Sequence, residues 1–127
     1  MRMHHLGIAT RDAAATASLF AEVLDAPERH VERFDGLDIR FLELANGYLE
    51  LLEPIGDGTV ARFLDRRGPG LHHIGVETTD IEAALETAER CGIERIDEAP
   101  RPGAWGHEVA FLHPDDTGGV LIEFVAT

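Results

Sequence analysis

The sequence predicts an α+β fold built from two tandem βαβββ modules. The first observation is an internal repeat: residues 4–12 and 72–80 match or are conservatively replaced at seven of nine positions, 68 positions apart. The second is that each copy runs into a helical pattern, and the third is that each helix is followed by strand-like segments. A repeat of this kind indicates that one supersecondary unit is used twice.

The helices are predicted from the spacing of apolar residues after each copy of the repeat. Apolar side chains recur three and four positions apart there, as on one face of a helix. Asp12 and Asp80 precede these runs, where an N-cap carboxylate accepts bonds from free helix N–H groups. Gly92 is expected to cap the second helix at its C-terminus. A further short helix is predicted between the modules, over about residues 60–66.

Three strands are predicted after each helix. They cover about residues 28–34, 37–45 and 48–53, then 94–98, 107–113 and 119–125. Asn46-Gly47 predicts a two-residue hairpin turn between two of these strands. The modules span about 1–57 and 70–127, and we expect one domain over residues 1–127, because ~60 residues alone would form a marginal core.

Composition limits the expected partners. The chain has 24 acidic and 11 basic residues, a formal net charge of -13, and every basic residue is Arg. A field of that sign repels nucleic acid and anionic lipid, so we expect neither as a partner. It also suggests adaptation to a salty cytoplasm, where screening shortens the range of self-repulsion. Without a signal-like N-terminus or a membrane-length apolar run, we expect a cytoplasmic protein.

The first strand of each module carries a histidine beside a glycine. Strand alternation puts His5 and Gly7 on one face and the neighbouring apolar residues on the other. His73 and Gly75 repeat this arrangement. The pattern suggests a cavity with an imidazole in its wall in both modules.

The last strand of each module carries a carboxylate within an apolar run. Glu50 faces away from the leucines on either side of it, and Glu123 faces away from its apolar neighbours in the same manner. A single strand histidine is commonly structural, and a single glutamate in such a strand commonly faces solvent. Repetition of both residues favours a metal site, because chance would have to produce each half-site separately.

Two imidazoles and two carboxylates form a ligand set that suits a divalent metal. On an octahedral ion, four protein ligands would leave two positions open for a bidentate substrate. His4 and His72 are also repeated but point away from this face, so we interpret them as neighbours. The remaining histidines, His30, His107 and His113, have no repeat partner.

The whole chain resembles the vicinal-oxygen-chelate, or glyoxalase-like, superfamily. That superfamily includes glyoxalase I, extradiol dioxygenases, metal-dependent resistance proteins and methylmalonyl-CoA epimerases. Several segments resemble the epimerases in particular. They are His5-Leu-Gly-Ile-Ala, Glu50-Leu-Leu-Glu-Pro-Ile, Gly70-Leu-His-His-Ile-Gly and Asp97-Glu-Ala-Pro-Arg-Pro-Gly-Ala-Trp-Gly.

The resemblance implies one curved mixed sheet around a metal cavity. It places the metal ligands on His5, Glu50, His73 and Glu123. The ion would be Co²⁺ first, with Mn²⁺, Ni²⁺, Fe²⁺ and Zn²⁺ as further candidates, among which ligand type does not choose. The substrate would be an acyl-CoA and the assembly a homodimer. The implied reaction epimerises (2R)- and (2S)-methylmalonyl-CoA by C2 proton abstraction, through a metal-stabilised thioester enolate.

The chain departs from this family at one proposed catalytic base. Some members have a Glu three residues after a Gly, and Ile39 stands at that position here, while Asp38 turns to the opposite face. Glu123, as a carboxylate able to detach, is one candidate for proton transfer. Glu43 is the other, because an Asn46-Gly47 turn would pair it directly across from Glu50.

Two alternatives and one open question remain from sequence. The same scaffold could carry a glyoxalase-type lyase or isomerase, or a dioxygenase, and a non-enzymatic module could bind a small ligand in the cavity. For the anionic CoA group, Arg101 and Arg40 are both reasonable contacts, and the sequence does not decide between them.

Overall fold

The structure is a computed structural model that describes residues 1–127. Its strands and helices are, in chain order, β1 (Arg2–Ala9), α1 (Ala13–Val23), β2 (Glu28–Phe34), β3 (Leu37–Leu44), β4 (Gly47–Pro54), α2 (Thr59–Arg67), β5 (Gly70–Glu77), α3 (Ile81–Arg90), β6 (Arg101–Pro102), β7 (Glu108–Leu112) and β8 (Ile122–Ala126). No helix combines the length and the apolar character needed to cross a membrane.

The strands form a mixed eight-stranded sheet in the order β2-β3-β4-β1-β5-β8-β7-β6. β1 pairs with β4 in parallel, as β5 does with β8, while the hairpin strands pair antiparallel. Each half of the chain therefore has the order βαβββ, and the predicted α+β class is confirmed. The chain forms two compact units, an N-terminal unit of His5–His72 and a C-terminal unit of Met1–His4 with His73–Thr127.

In the N-terminal unit, α1 covers one face of the sheet. Ala13 and Ala17 lie one helical turn apart and are both buried. They pack in one cluster with Leu42, Leu49 and Leu51 of the hairpin strands. Since alternate strand residues face opposite sides, this packing leaves the other face to the intervening residues, Glu50 among them.

In the C-terminal unit, α3 has the same role with larger side chains. Its buried Ile81 and Leu85 pack against Ala110, Leu112 and Phe124. Glu123 lies between Ile122 and Phe124, which both pack in this cluster, so its side chain faces the other side of the sheet.

The helix caps are as predicted. Asp12 Oδ1 accepts a hydrogen bond from the Ala15 N–H at 3.0 Å, and Asp80 Oδ1 accepts one from the Ala83 N–H at 3.0 Å. Gly92 follows α3 with φ +79°, a left-handed conformation that glycine adopts without steric cost. Both predicted N-caps and the predicted glycine at the helix end are confirmed.

The first module matches its predicted strands, but one turn differs by a residue. Leu44 pairs with Gly47, so the turn consists of Ala45 and Asn46 rather than Asn46 and Gly47. A type I′ turn needs positive φ at both central residues, and Asn46 is not among the residues with positive φ. The register of the whole hairpin is set by this turn, which decides the neighbours of Glu43.

The second module departs more from prediction. The predicted strand over 94–98 is wrong: Arg95 forms only an isolated bridge with Leu112, and the regular strand is the two-residue β6. The Asp97 carboxylate accepts a hydrogen bond from the Phe111 N–H at 2.9 Å. In a regular strand, a backbone carbonyl would have accepted this hydrogen bond. Prolines without an N–H flank Arg101, which also limits ladder pairing there.

The last strand begins at Ile122 instead of residue 119. Gly118 and Gly119 both have left-handed φ, +72° and +85°, and the Gly119 N–H bonds back to the Pro114 carbonyl at 2.9 Å. These residues therefore form a turn, and strand pairing starts after it.

Candidate metal centre

The N-terminal unit places His5 and Glu50 together on one face of the sheet. In the parallel register Gly7 lies across from Glu50, and His5 lies across from Tyr48. His5 Nε2 and Glu50 Oε1 are 3.3 Å apart, with side chains 4% and 8% exposed. The strand pairing thus brings a histidine from the first strand of the module to a carboxylate from its last.

The C-terminal unit repeats this arrangement. Gly75 lies across from Glu123 in the parallel register. His73 Nε2 and Glu123 Oε1 are 3.5 Å apart, with side chains 3% and 10% exposed. The glycine two residues after each histidine, noted in the sequence, is therefore the residue that faces the carboxylate.

The donor set suits a divalent cation. A buried carboxylate costs free energy unless it is paired, hydrogen-bonded or bound to a metal. Each unit offers one imidazole nitrogen and one carboxylate oxygen, and His5, Glu50, His73 and Glu123 are all buried residues of types that can hold a metal ion. Imidazole nitrogens and carboxylate oxygens are ordinary ligands of the divalent ions considered above.

A phenylalanine borders each histidine, which the sequence reasoning missed. Phe41 lies across from Glu50, and its ring meets the His5 ring edge-to-face with centroids 6.0 Å apart. Phe111 lies across from Glu123, and its ring meets the His73 ring edge-to-face at 5.7 Å. The repeated Phe-Leu dipeptides, Phe41-Leu and Phe111-Leu, were a signal that could have identified this pair.

The expected pairing of Glu43 directly across from Glu50 is wrong. Glu43 pairs with Tyr48, because the hairpin turn lies one residue earlier than predicted. Glu43 still shares a sheet face with Glu50, since alternate residues point the same way. Its carboxylate contacts Arg29, with Oε2 3.3 Å from Nε, and its side chain is 42% exposed.

The histidines other than His5 and His73 lie in different surroundings. His4 meets the His107 ring edge-on at 5.2 Å, and His72 meets a phenylalanine ring at 4.9 Å. His113 Nδ1 accepts the backbone N–H two residues later at 3.2 Å, so it caps the short 3₁₀ turn that follows. His30 lies 3.1 Å from a carboxylate on its own strand.

Arg40 lies on the face opposite to Glu50. Arg40 pairs with Leu51 in the register, and Leu51 belongs to the face that packs on α1. Its guanidinium donates to Asp38 at 3.1 Å and to Glu28 at 3.4 Å, and the hydrogen bond to Asp38 raises the Arg40 pKa above its ordinary value. Arg40 is therefore engaged away from the histidine–glutamate face.

Comparison with known proteins agrees with this geometry. Residues 4–111 match the family model of the Glyoxalase/Bleomycin resistance protein/Dioxygenase superfamily. The mitochondrial methylmalonyl-CoA epimerase of Homo sapiens is 36% identical over 126 residues, covering 96% of this chain and 72% of its own. An ethylmalonyl-CoA/methylmalonyl-CoA epimerase of Cereibacter sphaeroides is also 36% identical, over 96% of this chain and 95% of its own.

A solved structure is similar over the entire chain. It is a variant of the Streptomyces coelicolor methylmalonyl-CoA epimerase in complex with 2-nitronate-propionyl-CoA, with a TM-score of 0.95 and 32% identity over 100% of this chain and 94% of that one. Sequence, fold and buried donor set agree, and the chain belongs to the Glyoxalase/Bleomycin resistance protein/Dioxygenase superfamily and, within it, to the methylmalonyl-CoA epimerase family.

Proposed function

We propose that this chain is a metal-dependent epimerase that interconverts (2R)- and (2S)-methylmalonyl-CoA. The observation that carries the proposal is the pair of buried His–Glu half-sites, repeated in both units of a chain similar to such epimerases throughout its length. The hydrogen on C2 of this substrate lies between a thioester and a carboxylate. It is acidic enough for a protein carboxylate to remove when the resulting negative charge is stabilised.

We propose that His5, Glu50, His73 and Glu123 bind one divalent cation together, with Co²⁺ as the first ion to test. Their burial and their ligand atoms support the assignment. The cation would supply a Lewis acid for the thioester and carboxylate oxygens of the substrate. The four side chains would determine where those oxygens bind, and Phe41 and Phe111 lie beside the two histidines.

We propose Glu123 and Glu43 as the groups that move the proton. Epimerisation requires removal of a proton on one side of a planar carbon and its return on the other. Glu123 is buried beside His73, which suits a carboxylate held in place for transfer. Glu43 shares the sheet face of Glu50, and its carboxylate also contacts Arg29. The Glu43→Gln variant tests its role: unchanged turnover would remove Glu43 from the mechanism.

Three further expectations stay proposals: a homodimer, a cytoplasmic location and adaptation to a salty environment. The first rests on the family resemblance, and the last on the formal net charge of -13 and the absence of Lys. Sedimentation tests the assembly, and thermal melts at increasing salt test the adaptation. A dimer whose thermal stability rises between low and molar salt is the expected result, because salt screens repulsion among the acidic side chains.

Incubation of the purified chain with (2S)-methylmalonyl-CoA in D₂O, with each divalent metal added separately, tests the function. We expect solvent deuterium at C2 together with racemisation. Absence of exchange with every metal would contradict the proposal. Exchange with ethylmalonyl-CoA in parallel would extend the substrate class, and consumption of O₂ would instead indicate a dioxygenase.

His73→Ala is the matched variant for this assay, since it removes one proposed ligand from one half-site. We expect metal binding and exchange to be lost together. Full exchange by a metal-free His73→Ala protein would refute the ligand assignment while leaving the activity itself established.

A further inference from the structure

One arginine of the C-terminal unit lies on the sheet face that carries His73 and Glu123. Arg101 pairs with Val109, and Val109 pairs with Val125. Val125 is two residues after Glu123 in the same strand and so shares its face. The register therefore puts Arg101 at the edge of the half-site, two strands away from β8.

Two contacts fix the orientation of the Arg101 guanidinium. Its Nε donates to Asp97 Oδ1 at 2.9 Å, and its central carbon lies 5.5 Å from the centroid of the Phe111 ring. The same Phe111 ring meets the edge of the His73 ring. Arg101 thus stands one aromatic ring away from a proposed metal ligand, with its side chain 43% exposed.

Asp97 connects Arg101 to the strand beneath it. One carboxylate oxygen binds Arg101 Nε, and the other accepts the Phe111 backbone N–H at 2.9 Å. The hydrogen bond to Asp97 uses Nε, which leaves the Nη groups to form a bidentate contact with an anion.

The other arginines after His73 are placed differently. Arg95 uses both Nη groups, one on Glu89 at 2.6 Å and one on the Glu98 carbonyl at 2.9 Å. Arg90 lies in the last turn of α3 and donates to Thr87. Among the arginines after His73, Arg101 combines a fixed orientation with available Nη groups on the His73 face.

We propose that Arg101 binds an anionic oxygen of the acyl-CoA substrate, either the free carboxylate of the acyl group or a phosphate of CoA. This inference rests on the proposed function. A chain with a formal net charge of -13 repels an anionic substrate at long range, so a short-range cation beside the site is needed to hold it. Arg101 is that cation, and Asp97 is the residue that positions it.

The test measures thioester binding by calorimetry, which does not depend on turnover. Arg101→Gln removes the positive charge and the forked N–H donors of the guanidinium, while it keeps a polar side chain at this position. Loss of a charge-assisted hydrogen bond weakens binding by about tenfold or more, so we expect at least a tenfold rise in Kd for methylmalonyl-CoA. Arg90→Gln is the matched control and should leave this Kd within about twofold, the scatter of an uninvolved surface substitution.

Two further ligands distinguish the source of the anion. Propionyl-CoA has the phosphates but no free carboxylate, and the methylmalonyl thioester of pantetheine has the carboxylate but no phosphate. A phosphate contact predicts weaker binding of propionyl-CoA by Arg101→Gln, with the pantetheine thioester unaffected. A carboxylate contact predicts the reverse.

Other results would overturn the assignment. Unchanged Kd values for all three ligands in folded Arg101→Gln would do so, as would a wild-type chain that binds none of them. Arg101→Lys is the second variant if Gln impairs folding, and it should retain partial binding because it keeps the charge but loses the planar fork. Wild-type binding without deuterium exchange would contradict the proposed function alone.

Discussion

The two units carry the same histidine–glutamate pair. The Nε2–Oε1 distances are 3.3 Å for His5 and Glu50 and 3.5 Å for His73 and Glu123, and all four side chains are buried. In each unit a phenylalanine lies across from the glutamate and presents its ring to the histidine. The duplicated parts are therefore the residues that we propose as metal ligands and the phenylalanine beside each histidine.

The residues bordering these pairs differ in charge. In the N-terminal unit, Glu32 pairs with Ile39, which is two residues before Phe41. The Glu32 carboxylate lies 3.1 Å from His30 Nε2. At the equivalent position of the C-terminal unit, across from Val109, lies Arg101. The two units therefore carry opposite formal charges at equivalent register positions.

The largest expected effect tests whether the two half-sites are equivalent. His5→Ala and His73→Ala each remove one proposed ligand, and we expect each to weaken Co²⁺ binding by more than about 100-fold. Mutation of a residue that only hydrogen-bonds to a metal ligand already lowers metal affinity by about 10–100-fold. Titration calorimetry of the two variants measures this. A variant that retains wild-type affinity would show that its half-site does not bind the metal.

The next effect concerns the backbone that carries Arg101. A Cβ added at Gly103 would lie 2.7 Å from Val109 Cγ1, whereas one at Gly56 would meet nothing within 4 Å. We expect Gly103→Ala to lower the free energy of unfolding by about 1–3 kcal/mol through overpacking, and Gly56→Ala to leave it nearly unchanged. Denaturant unfolding of both variants checks the contrast, and equal stabilities would contradict it.

The two phenylalanines should have similar effects on the metal and different effects on the substrate. Phe41→Leu and Phe111→Leu each remove an edge-to-face contact of about 1 kcal/mol that orients a histidine, so Co²⁺ affinity should fall by up to about fivefold in each. Phe111→Leu should also weaken thioester binding, because Arg101 stacks on that ring. Equal thioester affinities for the two variants would argue against the asymmetric border.

The smallest effect compares the helix caps. Asp80→Ala should destabilise the fold by about 1 kcal/mol, the usual value for loss of an N-cap. Asp12→Ala should cost less, about 0.5 kcal/mol, because Glu53 Oε1 also accepts the Ala13 N–H of the same helix end at 2.7 Å. Thermal melts of both variants measure the difference, and a larger loss for Asp12→Ala would contradict this account.

Local patterns in the sequence were sufficient for the duplicated parts. Strand alternation put His5 and Glu50 on the face away from the helix, because a period of two leaves no other choice once the leucines are buried. Asp12, Asp80 and Gly92 were predicted as caps from bonding needs that any helix end has. The family resemblance covered the rest of the ligand assignment and the class of reaction.

The tertiary structure decided what depends on register and on side-chain competition. A turn one residue earlier than predicted moved Glu43 from Glu50 to Tyr48, since hairpin register follows the φ angles that the turn residues adopt. The Asp97 carboxylate replaced a strand hydrogen bond and fixed Arg101 over Phe111, a choice between side-chain and backbone acceptors that periodicity does not encode. The sequence by itself therefore determined the paired histidines and glutamates and the βαβββ order, while only the folded chain decided that the residues bordering the two pairs differ in charge.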